Sequence, residues 1–241
     1  MLNQLSIKIY ADGANLQEMS QLCRSPWIKG FTTNPTLMRN AKVIDYVAFA
    51  HAAIALVGNS PISFEVFADT FDEIIEQALE IASWDTKVYV KVPVTNTLGE
   101  STCSALKFLA KNNVKLNVTA VFTPKQVEEI VNHLDDTPAI ISIFAGRVAD
   151  TGRDPKQTIT QALEITKKFP NIEILWASCR EIYNIIEADQ VGCDIITVPN
   201  NFLKKLDLLG KDLTEFSLET VNMLTKDALA AGYNIPIKEV V

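Results

Sequence analysis

The chain has 241 residues, 48% of them hydrophobic, enough to bury the core of a large α/β domain. Its net charge of −7 excludes a basic nucleic-acid surface, and no apolar run approaches the ~18 residues that cross a bilayer. The four cysteines are scattered without a CxxC pair, and His51 and His133 lack ligand-type neighbours, so neither a metal site nor a disulfide framework is expected.

Short β-branched runs recur at 7–11, 28–32, 62–67, 87–92, 115–122, 139–144, 172–177 and 194–198, each followed by a segment of helical period. After the third run, Ile74, Ile75, Ala78, Leu79, Ile81 and Ala82 trace one helical face. After the seventh, Ile182, Ile185, Ile186 and Ala188 trace another. Helix starts are marked by capping boxes at Thr70-Phe-Asp-Glu73, Thr123-Pro-Lys-Gln126 and Ser178-Cys-Arg-Glu181, and Asp154-Pro-Lys-Gln157 repeats the proline pattern. Eight strands alternating with helices over 241 residues predict a single-domain (β/α)8 TIM barrel. A doubly wound sheet lacks support, because no GxGxxG or P-loop follows any strand. The tail at about 213–232 has more helix than a barrel needs. Phe216, Val221, Leu224, Ala228 and Leu229 give it an apolar side, which predicts contact with a neighbouring subunit. The opening Met-Leu-Asn-Gln-Leu-Ser-Ile-Lys lacks the regions of a secretory leader, so a cytoplasmic protein is expected.

Strand parity singles out polar side chains. In Lys87-Val-Tyr-Val-Lys91-Val, Val88, Val90 and Val92 share one face and Tyr89 and Lys91 the other. If the valines meet helices, Lys91 points into the barrel, where burial disfavours a charged amine and favours the nucleophilic neutral one. A lysine that reaches water from an edge strand is the equal alternative from this run alone. The same parity puts Ser63 and Glu65 inside on the third strand and Asn117 and Thr119 inside on the fifth. Ser142 and Phe144 fall inside on the sixth, and Asp12 ends the first strand on the parity opposite Ile7, Ile9 and Ala11. A barrel carries its catalytic groups at the C-terminal ends of its strands.

Several candidates have plainer readings. Asn34 before Pro35 and Ser178 in its Ser-x-x-Glu serve equally as helix caps, and Asp12 as a cap of the Asp-Gly-Ala-Asn turn. Arg147 and Arg180 taken singly are surface cations. Asp69, Asp150 and Asp154 read as cap or turn residues. Glu65 and Lys91 resist such readings, since both lie within strands and together could form a buried charge pair.

Gly-Phe-Thr-Thr33-Asn34-Pro-Thr, Val-Lys91-Val-Pro-Val-Thr, Asn117-Val-Thr119-Ala-Val-Phe, Ile-Phe144-Ala-Gly-Arg147-Val-Ala-Asp and Ala-Ser178-Cys-Arg180 resemble the transaldolase family, in particular its small-subunit branch that includes fructose-6-phosphate aldolases. The resemblance covers nearly the whole chain. It implies a class I aldol transfer on sugar phosphates, without metal or cofactor, with Lys91 as the Schiff-base nucleophile and Asp12 as the base at the C4 hydroxyl. Glu65 and Thr119 are similar to the pair that holds a water for proton transfer. Asn34, Asn117 and Ser142 would hold the dihydroxyacetone hydroxyls, with Thr33 and Phe144 also at the substrate, and Arg147, Arg180 and Ser178 would bind the phosphate. Glu65, Ser142 and Phe144 resemble transaldolase proper, where the aldolase branch tends to carry glutamine, alanine and tyrosine. The resemblance also implies a homo-oligomer, a pentamer or a decamer. Lys87 shares the face of Lys91, but four residues of strand put it ~13 Å away, too far to serve as a second active-site lysine.

Overall fold

The computed structural model describes residues 2–134 and 136–236. In chain order the elements are β1 (Lys8–Asp12), α1 (Leu16–Leu22), β2 (Ile28–Thr32), α2 (Pro35–Asn40), α3 (Tyr46–Leu56), β3 (Ile62–Glu65), α4 (Phe71–Ser83), β4 (Val88–Pro93), α5 (Cys103–Lys111), β5 (Leu116–Val121) and α6 (Pro124–Val131). They continue with β6 (Ala139–Ile143), α7 (Ala145–Asp150), α8 (Pro155–Thr166), β7 (Ile172–Trp176), α9 (Asn184–Gln190), β8 (Ile195–Pro199), α10 (Asn200–Leu203) and α11 (Leu213–Ala230). The eight strands pair in sequence order, all parallel, and β8 closes onto β1. The chain is a (β/α)8 barrel.

The barrel follows from strand period. Ile62, Phe64, Val88, Val90, Val92, Leu116, Val118, Ile141, Ile143, Ile174 and Trp176 are all buried in the layer between strands and helices. Each fully buried aliphatic side chain there contributes about 1.5–3 kcal/mol. The opposite faces fill the interior, where Tyr10, Ile140, Leu175 and Ile195 pack together with Tyr89. Gly30 is required at this level, since a Cβ there would lie 2.5 Å from the Tyr10 ring. These side chains fill the middle of the barrel; the Lys8–Glu173 ion pair lies toward the N-terminal ends of β1 and β7, and a larger set of polar side chains gathers at the C-terminal ends of the strands.

Register then sets neighbours. Asp12 stands opposite Thr32, Thr32 opposite Ser63, Glu65 opposite Lys91, and Lys91 opposite Asn117. The expected run 62–67 ends two residues early, at Glu65, and 139–144 and 172–177 each end one residue early. The alternation expected through Ala120 also breaks: the β5–β6 register shifts between Val118 and Val121, and Ala120 has φ +57. This bulge turns the strand end just after Thr119.

The helix starts divide. Thr123 and Gln126 form the reciprocal capping box, and Asp154 caps α8 through the Lys156 N–H. Thr70 makes no backbone cap, because its hydroxyl donates to the Glu73 carboxylate instead, at 2.7 Å. The box expected at Ser178 is absent. Helix α9 begins only at Asn184, whose side-chain oxygen accepts from the backbone N–H groups of Arg180 and Glu181. Ser178 instead sits at φ +66 in the loop after β7, so it is not at a helix N-terminus. Along α11 no residue is buried, and Phe216, Leu218, Val221, Met223, Leu224 and Leu229 are exposed. No helix among the described residues is long and apolar enough to cross a membrane.

Candidate active site

Lys91 is 6% exposed. Its ammonium donates to the Thr33 carbonyl at 2.9 Å and pairs with Glu65 Oε2 at 2.8 Å. A buried charge needs such compensation. Two of the three N–H directions are used, and Lys91 lines a cavity of about 170 Å³ at the C-terminal end of the barrel.

Asp12, Thr32, Asn34, Thr119 and Ser142 line the same cavity. Burial pushes the Asp12 carboxyl above the ordinary carboxylate range; the Lys91 charge and a hydrogen bond from Thr32 oppose the shift, and Glu65 adds to it. Thr32 Oγ1 donates to Asp12 Oδ1 at 2.7 Å and lies 2.5 Å from the Thr197 hydroxyl. Asp12 is therefore held by side chains and does not cap α1; Asn15 does that, accepting from Gln17 and Glu18. Asn34 does cap α2, its Oδ1 accepting from the Leu37 N–H, which leaves its amide NH₂ free to donate into the cavity.

A buried relay supports the wall opposite: Ser142 Oγ donates to Asn117 Oδ1 at 2.7 Å, and Asn117 Nδ2 donates to Ser63 Oγ at 3.1 Å. Asn117 thus lies behind the cavity wall, and Ser142 forms it. Thr33 is also behind it, with its hydroxyl committed to the Ser63 carbonyl at 2.8 Å and its own carbonyl on Lys91. Thr119 Oγ1 is buried with no hydrogen-bond partner among the described residues. A buried hydroxyl in that state takes its partner from solvent or ligand. Glu65 lines a separate cavity of about 330 Å³, with Pro93, Thr95 and Asp69. Cys179 also faces the main cavity, but burial pushes its thiol up to about 12, which leaves it a poor nucleophile at neutral pH.

Phe144, Arg147, Ser178 and Arg180 complete the cavity. Phe144 has just left β6 and precedes α7; its ring centre lies 5.1 Å from the Arg147 guanidinium, a cation–π distance. Arg180 bonds to Asp150 at the other end of α7. Gly146 lets α7 approach: a Cβ there would lie 1.6 Å from the Ser178 carbonyl oxygen. Lys87 is far from all this, bonded to Asp85 just before β4.

Strand parity left out Thr32 and Thr197, although Thr197 shares the interior parity of Ile195 and was open to the same argument. Asp150 reads in the sequence as a cap or turn residue; it ends α7 and binds Arg180 instead. Among the described residues, no group of three His, Cys, Asp or Glu comes together to hold a metal ion.

The arrangement offers a buried amine with a carboxylate against it, and a cavity lined by that amine, a second carboxylate, hydroxyl and amide donors and two arginines. Such a site can form an imine, move a proton and hold an anion. Several solved barrels share the fold alone: a mandelate oxidase mutant with a flavin adduct superposes with a TM-score of 0.55 at 10% identity, covering 80% of this chain and 64% of that one. This chain thus spans less than two thirds of that protein. Sequence relatives reach further. A "probable transaldolase" of Nitrosopumilus maritimus is 31% identical over 215 residues, 88% of this chain and 92% of its own length. Those of Chlorobium chlorochromatii, 31% identical over 92% of this chain and 98% of theirs, and Roseiflexus castenholzii, 34% over 88% and 94%, are similar. The model of the Transaldolase/Fructose-6-phosphate aldolase family matches residues 9–236, nearly the whole barrel together with α11, and the chain belongs to that family.

Proposed function

We propose that this chain is a transaldolase that moves a dihydroxyacetone unit from a ketose phosphate to an aldose phosphate through a Schiff base on Lys91. The observation that carries this reading is the buried Lys91–Glu65 pair sharing one end of a barrel with the raised carboxyl of Asp12. Glu65, 2.8 Å away, takes the ammonium proton, and the neutral Lys91 amine attacks the C2 carbonyl. Loss of water from the carbinolamine gives an iminium, and the unpartnered Thr119 hydroxyl binds the water that carries protons in this step. Asp12 takes the proton from the C4 hydroxyl, the C3–C4 bond breaks, and its electrons pass into the iminium to form an enamine. The departing aldose phosphate makes way for an acceptor aldehyde, which the enamine attacks while Asp12 returns its proton, and water then adds to the resulting iminium to free the product ketose phosphate and the Lys91 amine. Asn34 and Ser142 hold the dihydroxyacetone hydroxyls, and Arg147 and Arg180 hold the phosphate.

Release of glyceraldehyde-3-phosphate from fructose-6-phosphate, with and without erythrose-4-phosphate, tests the reading. Release only with the acceptor is the expected result. Equal release without it makes the chain an aldolase that frees dihydroxyacetone, and overturns Glu65, Ser142 and Phe144 as markers of transfer.

The exposed apolar residues of α11 support the companion proposal that this helix docks on a second copy, in the ring of five or pair of rings that the sequence resemblance implies. In sedimentation velocity the chain is expected to run as one such assembly, and the double substitution Phe216→Asp with Leu224→Asp is expected to dissociate it. A parent chain that sediments as a monomer overturns this.

A further inference from the structure

We propose that Asp150 is a positioning residue for the sugar-phosphate reaction: it holds the Arg180 guanidinium by one edge so that the other edge is presented to the substrate phosphate. The inference rests on the phosphate reading of the preceding subsection and assigns a role to a residue outside the cavity wall.

A guanidinium has five N–H donors in a fixed plane. Arg180 Nε lies 3.0 and 3.1 Å from the two Asp150 oxygens, and Nη2 bonds the second of them. The Nε–Nη2 edge is therefore closed by a fork-to-fork pair. Nη1 donates to the Ser178 carbonyl at 3.2 Å. Three donors are spent, and two remain, one on each terminal nitrogen. A phosphate accepts such a pair in bidentate fashion. Arg180 lines the cavity and Asp150 does not, so in this proposal the pair to Asp150 fixes the guanidinium plane from outside the wall and the two free donors are left for the phosphate.

Two features show that the hold is built into the fold. Asp150 ends the same short helix that carries Arg147, so one element sets both arginines. That helix is seated against the Ser178 loop at Gly146, where no side chain fits, and the Arg180 Cγ lies within 3.2 Å of the same Cβ position. Hydrogen bonds from Arg180, and the charges of Arg180 and Arg147, hold the Asp150 carboxyl below the usual carboxylate range. At neutral pH the carboxylate is thus ionised, able to accept both bonds. It also offsets one of the two positive charges, so the site is selective for an anion that offers bidentate geometry over one that offers charge alone.

The test uses the full chain and inorganic phosphate as the probe. Asp150→Ala is expected to weaken phosphate binding in calorimetry about ten-fold, the worth of a charge-assisted hydrogen bond. Asp150→Asn, which keeps one acceptor oxygen, is expected to fall between the two. In turnover, the ratio of kcat/KM for fructose-6-phosphate to that for unphosphorylated fructose should drop by a similar factor, with KM for the phosphorylated sugar carrying the loss. Tighter phosphate binding in Asp150→Ala overturns the proposal, since Asp150 would then be a competitor that masks Arg180. A parallel loss on both sugars also overturns it, because a merely structural role moves both. If the parent chain turns over neither sugar, the proposed reaction fails while the phosphate titration still decides the role of Asp150; a parent that binds no phosphate overturns both.

Discussion

Lys91→Met is expected to lower turnover at least about 10⁴-fold and to abolish the substrate adduct that borohydride is expected to trap on the parent chain. Methionine matches the length of the lysine and suits a buried strand position, so the barrel should persist. The loss tests chemistry first, but it also carries a stability signature. Removing Lys91 strands Glu65, whose side chain is 18% exposed, without its partner at 2.8 Å. Breaking a buried pair from one side destabilises by about 3 kcal/mol, because the surviving charge keeps its desolvation and loses its attraction. Adding Glu65→Gln to Lys91→Met should recover most of that stability and none of the activity. Mass spectrometry after borohydride treatment and a urea titration of the three proteins check both statements. Residual turnover in Lys91→Met near the parent rate would sink the imine mechanism. An adduct that persists on it would place the nucleophile elsewhere.

This pair was legible in the sequence because a strand has a fixed period. Once Val88, Val90 and Val92 are assigned to the helix layer, Lys91 can face only the interior, and Ile62 and Phe64 do the same for Glu65. Register then needs only parallel neighbours to set the two side by side, as it does. Strand period stops fixing side-chain direction where the backbone departs from it. Ala120 and Ser178 adopt positive φ without being glycine, and nothing in their local sequence announces it. With Ser178 in that conformation the helix it was expected to cap starts at Asn184, and the Ser178 carbonyl becomes a ligand for Arg180 instead. Partners distant in sequence are equally silent. Thr32 meets Thr197 because β8 closes onto β1, and Asp150 meets Arg180 because α7 packs on the loop after β7. A cap motif is read from four neighbouring residues; these contacts exist only once the barrel has closed.

Asp12→Asn should separate function from stability in opposite directions. In the proposed mechanism Asp12 is the base at the scissile bond, a role worth about 10²–10⁴-fold, and its loss should remove cleavage and transfer together. Asparagine keeps the oxygen that accepts from Thr32, so the geometry around the site should hold. The pH dependence follows from the sign of the shift. Burial raises the carboxyl in the folded chain, with the Lys91 charge and the Thr32 hydrogen bond only partly opposing it. The unfolded chain ionises at the ordinary value near 3.9. Between the ordinary and the raised value the folded state binds more protons, so stability falls as pH rises through that window and the full penalty remains above it. Asparagine has no such penalty. The melting temperature of Asp12→Asn should therefore exceed that of the parent at about pH 8 by ~2–4 °C per kcal/mol recovered, and the gap should close as pH falls to the ordinary carboxylate range. If Asp12 is the base as proposed, the same raised carboxyl should set the acid limb of kcat/KM for the parent, which should fall as pH drops through a value above the ordinary one. A gap in melting temperature that does not change with pH would assign the stabilisation to packing and leave Asp12 without its ionisation penalty. The residue that serves the reaction is in this reading one the fold holds against its own stability, which is the balance expected where a buried base must stay ready to accept a proton.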